Sequence, residues 1–435
     1  MANSYLNRTP SGAGNRKTFT ISMWFKRSKL GSSQYLFNAK DGSNPQDAVF
    51  FSTSDTFYVA LESISSGLET NRKFRDTSAW YNFVVAVDTT QGTNTNRVKL
   101  YVNGVQETSF NSPSYPSQNA DCNLNTAIVH NIGRRVGTGG DFIDGYMSHI
   151  AFVDGTALAP TVFGETDSTS GIWKFKSPSG VTWGTNGFHL KFENSGALGT
   201  DSSGNTNTFT VNGNLKQALD TPSNVYATLN PLNIPTSNAP TFSNANSKGT
   251  SHSSGKWIGS STLGVNSGKW YMEVKVTEQS GSNSYIGVAD EDGTSGNARN
   301  NGNGYGNGIL YKTDGQYRRS TNGSAADVSY GNSYAQGDII GIALNCDDNE
   351  IVFYKNGTAQ NSGTAISIPT PVGFLFLNIA LGSAAAESFE VNFGNGYFGT
   401  TAITSAGSNG NGSLFEYDVP SGFYALNTKN INTYG

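Results

Sequence analysis

At 435 residues, with a net charge of −4 and no Lys/Arg block, the chain is long enough for two ordinary domains and lacks the basic footprint of a nucleic-acid binder. Charged residues make up 14% against roughly 25% in ordinary soluble proteins, and 52 glycines with 12% aromatics argue against a disordered chain and for short strands joined by many turns. Cys122 and Cys346 lie far apart and read as free buried thiols rather than a disulfide framework, and no apolar run approaches the ~18 residues of a membrane span. The opening Met1-Ala2-Asn3-Ser4-Tyr5 has no basic region followed by an apolar run, so no secretory signal is expected and synthesis in a cytosol is.

In chain order, Phe19-Thr20-Ile21-Ser22-Met23-Trp24-Phe25 alternates large apolar with mostly small polar residues, the period of a half-buried strand. Trp80 to Val87 is a more continuous apolar run that suits a central strand. The run Val98 to Asn103-Gly104 closes on an Asn-Gly turn, and Asp144 to Phe152 forms a late strand. Residues 219–242 contain four prolines, which fix φ and remove donors, and are read as an extended linker. Beyond it, Trp270 to Val274, Tyr285 to Ala289 and Ile339 to Leu344 are strands, and Glu350 to Lys355 ends on Asn356-Gly357. No long 3.6-residue apolar period occurs. The expectation is an all-β chain of two antiparallel β-sandwich (jelly-roll) domains, 1–218 and 243–435, with Trp24 and Trp80 packing the first core and Trp270 the second.

Gly268-Lys269-Trp270-Tyr271-Met272-Glu273-Val274, Tyr285-Ile286-Gly287-Val288-Ala289, Gly337-Asp338-Ile339-Ile340-Gly341 and the Asn356-Gly357 hairpin together resemble the SPRY (B30.2-like) sandwich. Trp80 to Val87, Leu100 to Gly104 and Ile143 to Phe152, in this order, resemble a concanavalin A-like lectin/glucanase domain of the laminin-G type. A further resemblance spans both ends and the linker: Tyr5-Leu6-Asn7-Arg8-Thr9-Pro10, Asp220-Thr221-Pro222-Ser223-Asn224 and Val419-Pro420-Ser421-Gly422-Phe423-Tyr424 are similar to virion proteins of tailed marine phages. That resemblance implies a virion surface protein, a tail fibre, spike or capsid decoration, made in the host cytoplasm and multimeric on the particle. Its partners would be other virion proteins and a host-surface glycan.

Enzyme chemistry leaves little trace. Glycosidases of the lectin/glucanase fold carry Glu-x-Asp-x-x-Glu on one strand, where alternation puts the carboxylates on one face, and no such string occurs here. Asp290-Glu291-Asp292 beside Gly293 reads as a solvated loop. His130, His149, His189 and His252 are scattered without zinc spacing. Calcium is the one cofactor left open, with Asp41 and Asp47, Asp141 and Asp144, and Asp201 as its oxygen donors, although Asx residues beside glycine are also ordinary turn formers. For ligand binding, the loops 290–309 and 313–330 offer Tyr305, Tyr311, Tyr317, Arg318 and Arg319, a mix of flat rings and planar cations. Tyr311 and Tyr317 could equally pack across strands. Arg134, Arg135 and the Arg72–Arg75 stretch are the counterparts in the first half. The expected function is non-enzymatic host-surface attachment. The competing readings are a glycan-cleaving enzyme and a bacterial adhesion or binding protein.

Overall fold

The structure is a computed structural model and describes residues 4–40, 42, 45–137, 140–280, 284–294, 306–321, 324–381 and 385–435. The chain divides into two units, Met1–Gln217 and Ala218–Gly435, each built almost wholly of antiparallel strands.

In the first unit, an eight-stranded sheet runs in the spatial order Phe110–Ser114, Ser66–Lys73, Thr56–Leu61, Asp47–Phe51, Gln34–Ala39, His130–Ile132, Tyr5–Arg8, Thr210–Asn212. A six-stranded sheet runs Phe188–Leu190, Gly145–Asp154, Thr18–Arg27, Trp80–Asp88, Val98–Val102, Val105–Gln106. The period-2 alternation decides what each face holds. Phe19, Ile21, Met23 and Phe25 enter the core with Tyr81, Phe83, Val85 and Val87, and meet Phe37, Val49, Phe51, Phe57 and Val59 of the larger sheet. Phe57 and Phe83 stack at 4.0 Å between centroids, ring on ring across the sandwich.

The same parity corrects the expected role of two tryptophans. Trp24 pairs with Asn82 and Lys26 with Trp80, all at even positions, so both indoles lie on the outer face of the six-stranded sheet. They are nevertheless 2% and 7% exposed. That outer face has its own cover: the hairpin Gly164–Thr166/Trp173–Phe175 lays Trp173 against Asn82 (Nε1 to Oδ1, 3.1 Å), and Phe175 stacks on His149 at 3.5 Å.

The second unit pairs a six-stranded sheet (Trp257–Ser260, Phe376–Leu381, Ser284–Ala289, Gly308–Lys312, Gln316–Thr321, Ser324–Ser329) with a nine-stranded one centred on Lys269–Glu278, Ile339–Asn345 and Glu350–Lys355. Trp270, 0% exposed, lies in a core with Val274, Ile286, Ile309, Ile342, Phe353, Leu377 and Phe389. At both Asn-Gly turns the two residues take positive φ (Asn103 49°, Gly104 79°; Asn356 48°, Gly357 78°), as the tight hairpin geometry demands.

Residues 219–242 are not a free linker. Ala227 and Leu229 are buried in the second core and Tyr226 in a neighbouring cluster. The Ala227 amide donates to the Leu426 carbonyl, and Leu229 to Asn246. Proline made the segment irregular, while its apolar residues still drive it onto the sheet.

Candidate functional site

On the outer face of the eight-stranded sheet, register places Asn111, Glu69, Tyr58, Phe50 and Tyr35 side by side across five consecutive strands. These positions alternate with core residues Leu68, Phe57, Val59, Val49 and Phe51, so their rings must face outward. Tyr35 and Phe50 stack at 4.5 Å with planes 4° apart, and Tyr58 tilts onto Phe50 at 5.2 Å.

Residues 133–137 and 140–144 fold back over the end of this row. The Gly133 amide donates to the Leu36 carbonyl, Ile143 to Gly133, and Ser28 to Asp144. Gly133, with φ 85°, makes that reversal in a backbone region other residues resist. The fold-back sets Arg135 over Tyr35 at 5.2 Å and Arg134 over Tyr5 at 4.8 Å and Phe142 at 5.4 Å. Arg135 Nε donates to Gln46 Oε1 at 3.0 Å, and its guanidinium lies 3.5 Å from Asp141. The result is a strip of half-buried rings and planar cations, with Tyr5, Phe50, Tyr58, Arg134, Arg135 and Phe142 all partly open to solvent. Burial raises the Tyr35 hydroxyl above its ordinary pKa, and the Arg135 charge works against that rise. Arg134, Arg135 and Asp141 thus put charge at the Tyr35 end of the row, and Glu69 lies at the other.

Arg134 and Arg135, ligand candidates from sequence, come together here with Asp141, a calcium candidate, while Asp144 in the same segment bonds Ser28 and Gln34 through its backbone. Tyr5, Tyr35, Phe50, Tyr58, Phe142 and Glu69 were not candidates from sequence. Their signal was outward-facing aromatics alternating with core residues in Asp47–Phe51 and Thr56–Leu61.

Two of the calcium candidates, Asp47 and Asp201, are engaged within their own loops. Asp47 is 0% exposed and spent on a loop clamp: its oxygens accept from the Ser63 amide (3.0 Å), the Ser63 hydroxyl (2.6 Å), the Asn123 amide (2.8 Å) and the Leu124 amide (3.1 Å). Asp201 is engaged in the same way by His189, Ser203 and Asn207 amides. Both carboxylates hold turns through backbone amides. Asp41 lies outside the described residues, and no group of three or more His, Cys, Asp or Glu that could hold a metal occurs among those described.

In the second unit, Tyr311 is 0% exposed, stacks on Phe353 at 5.2 Å and donates its hydroxyl to the Asn332 carbonyl; burial raises its pKa. It is a core residue and not a ligand contact, because it shares the inward parity of Ile309. Tyr317 is half-buried against Tyr330. Arg318 makes two bonds to Asp327 (Nε 2.9 Å, Nη2 3.2 Å) and lies 4.8 Å over Tyr285, so its guanidinium is already satisfied. Arg319 is exposed, and Tyr305 lies outside the described residues. Asp290, expected in a solvated loop, is 0% exposed and accepts from Gly293, Asn307 and Val372, holding the bases of two loops together.

Residues 2–162 match the family model of the concanavalin A-like lectin/glucanases superfamily, and residues 269–396 match that of the SPRY domain. The chain thus carries a concanavalin A-like domain at its N-terminus and a SPRY domain at its C-terminus. No curated protein matches. Among solved structures, the chain is similar to the SPRY domain of human HERC1 (19% identity, 33% of this chain and 87% of that one, TM-score 0.27). It is also similar to the PSpry domain of TRIM65 (14%, 38% and 91%, TM-score 0.27). A third is a protein of Bacteroides ovatus provisionally described as carbohydrate binding (16%, 51% and 59%, TM-score 0.38).

Proposed function

We propose that the chain is a non-enzymatic binding protein displayed on the virion of a tailed phage, and that its lectin-like domain attaches to a host-surface glycan through the Tyr58–Phe50–Tyr35–Arg135 strip. The observation that carries this reading is the strip itself. Half-buried aromatic surface and planar cations lie in one row on the outer face of the sheet, the chemistry that stacks against apolar sugar faces and bonds hydroxyl or carboxylate groups. Tyr35 and Phe50 spend their faces on one another, so Tyr58 and the guanidinium edges are the groups that meet ligand. Glu69 is the one carboxylate in the row, and it accepts from the Thr56 hydroxyl at 2.6 Å; a single engaged carboxylate lacks the acid/base partner that glycoside cleavage requires. The virion assignment rests on the terminal and linker strings. It makes other virion proteins the structural partners and the particle surface the place of action.

Binding of the chain to purified host-surface polysaccharide, measured beside a Tyr58→Ala/Arg135→Ala variant, tests the site. A loss of binding of tenfold or more with unchanged thermal unfolding is expected. Equal binding by the variant removes the strip from the contact surface, and release of reducing sugar by the parent protein replaces attachment with cleavage. Immunogold labelling of intact particles tests the virion assignment separately.

A further inference from the structure

Every sheet in the molecule ends in edge strands, and most of these edges are protected. Phe110–Ser114 carries Pro113 and a register shift. Thr210–Asn212, Phe188–Leu190 and Thr241–Ser243 have three residues each, Val105–Gln106 and Thr358–Ala359 two, and Trp257–Ser260 is buried along its whole length. These are the usual ways of blunting an edge: brevity, proline, a bulge or cover. Ser324–Ser329 is different. It closes the six-stranded sheet of the SPRY domain with six residues, Ser-Ala-Ala-Asp-Val-Ser, all exposed, in unbroken register with Gln316–Thr321. It has no proline, no lysine and no bulge. Its one charge is neutralised from within the chain: Asp327 accepts from Arg318 at 2.9 Å and from Lys312 at 2.7 Å, so the repulsion that would keep a second strand away is absent.

We propose that Ser324–Ser329 is a self-association edge, pairing antiparallel with the same strand of a second copy to join two six-stranded sheets across a two-fold axis. Symmetry and charge choose the register. A two-fold axis perpendicular to the sheet keeps outward residues opposite outward residues, so a residue faces either itself or one an even number of positions away. Centring on Asp327 would oppose two carboxylates directly, which is destabilising. Centring on Ala326 puts Ala326 opposite the second copy's Ala326, Ala325 opposite its Asp327 and Ser324 opposite its Val328. No like charges then meet, and the small side chains let the backbones approach. The occupant is a second copy because, of the two registers that pair five of the strand's six residues with its twin, the one centred on Ala326 opposes no like charges. An extended segment of another virion protein is the rival occupant, and self-association of the purified chain tells the two apart.

The experiment is sedimentation velocity of the full chain over roughly 1–100 μM, where mass action reveals a dimer, beside Ala326→Lys and Ala326→Ser. The parent and the serine variant should dimerise with rising concentration. The lysine variant, with two ammonium groups opposed on the axis, should remain monomeric with an unchanged melting temperature. A separate variant, Ala326→Cys, should form an intermolecular disulfide under mild oxidation. Directly opposite strand residues have Cα atoms about 4.5–5.5 Å apart, inside the ~4.4–6.8 Å a disulfide spans. Cys122 and Cys346 are buried and do not compete. A parent that stays monomeric throughout, a lysine variant that dimerises equally well, or a cysteine variant that does not cross-link would each overturn the proposal.

Discussion

Glu273 illustrates how one side chain can hold a long segment and carry a cost for doing so. It sits on Lys269–Glu278 with the outward parity of Tyr271, beneath the C-terminal residues, and is 0% exposed. Its two oxygens accept from the backbone amides of Tyr417 and Glu416, each at 2.9 Å, and from Asn392 at 3.3 Å. Burial outweighs those bonds and lifts its pKa to about 7 from an ordinary 4.5. A carboxyl with a raised folded pKa contributes stability that is fully present below the unfolded pKa and is lost as pH rises to the folded one. The SPRY domain should therefore be most stable near pH 4.5 with respect to this group and should lose about 3 kcal/mol by pH 7, at about 1.4 kcal/mol per unit. Chemical denaturation of the parent and Glu273→Gln across that range checks it. The glutamine variant should lose this slope, while its amide, facing the Glu416 or Tyr417 N–H, should lower stability at every pH. A parent with no slope would show that the carboxyl stays ionised.

Among the elements, parity separates three tryptophans that look alike in sequence. Trp270 fills the second core and bonds Ser267 through Nε1 at 2.7 Å, so Trp270→Ala should cost about 3–5 kcal/mol. Trp80 is covered only on an outer sheet face, and Trp80→Ala should cost about 1–3 kcal/mol, less than Phe83→Ala beside it. Urea titrations of the three variants give the order, and an equal loss at Trp80 and Phe83 would mean that the outer layer packs as tightly as the core. The segment 219–242 makes a second test at this scale. A fragment that starts at residue 218 should fold, and one that starts at 243 should not, because it lacks Tyr226, Ala227 and Leu229. Circular dichroism melts of the two fragments decide it. Alternation in Phe19 to Phe25 and the two Asn-Gly hairpins were legible because strand period and turn chemistry are local. The burial of Leu229 was not, because four prolines mask the docking of a short apolar stretch onto a distant sheet. Of the proposed strip, the sequence singled out Arg134 and Arg135 as ligand contacts and Asp141 only as a calcium donor. The strip's aromatic row, Tyr35, Phe50 and Tyr58, lies on three consecutive strands, and the register between them, not the alternation within each, sets the rings side by side. Tyr311 was left open between ligand contact and cross-strand packing for a related reason: Leu310 and Tyr311 are adjacent, and only pairing puts Tyr311 on the core face with Ile309.

For the molecule as a whole, the two units should respond to acid in opposite directions. The lectin-like unit buries three imidazoles that burial keeps neutral: His130, with a pKa lowered to about 4, His149 to about 3 and His189 to about 4, against an ordinary 6.5. Each has a folded pKa below its unfolded one. Each therefore contributes stability that is present above pH 6.5 and is lost as pH falls through the folded value, since unfolding then takes up protons. His130 fixes its neutral form by bonding the Ile128 carbonyl and the Asn125 amide, while His149 and His189 lie 5.6 Å apart, so neither gains by charging. Over the same span the Glu273 carboxyl makes the SPRY unit more stable as pH falls. Calorimetry of the full chain between pH 7 and pH 4.5 should thus resolve two transitions that move in opposite senses, the lectin-like one to lower and the SPRY one to higher temperature. Replacing His130 and His189 with Asn should flatten only the former. Two transitions shifting together, or a single transition throughout, would show that the units unfold as one and that these buried groups do not set the pH response.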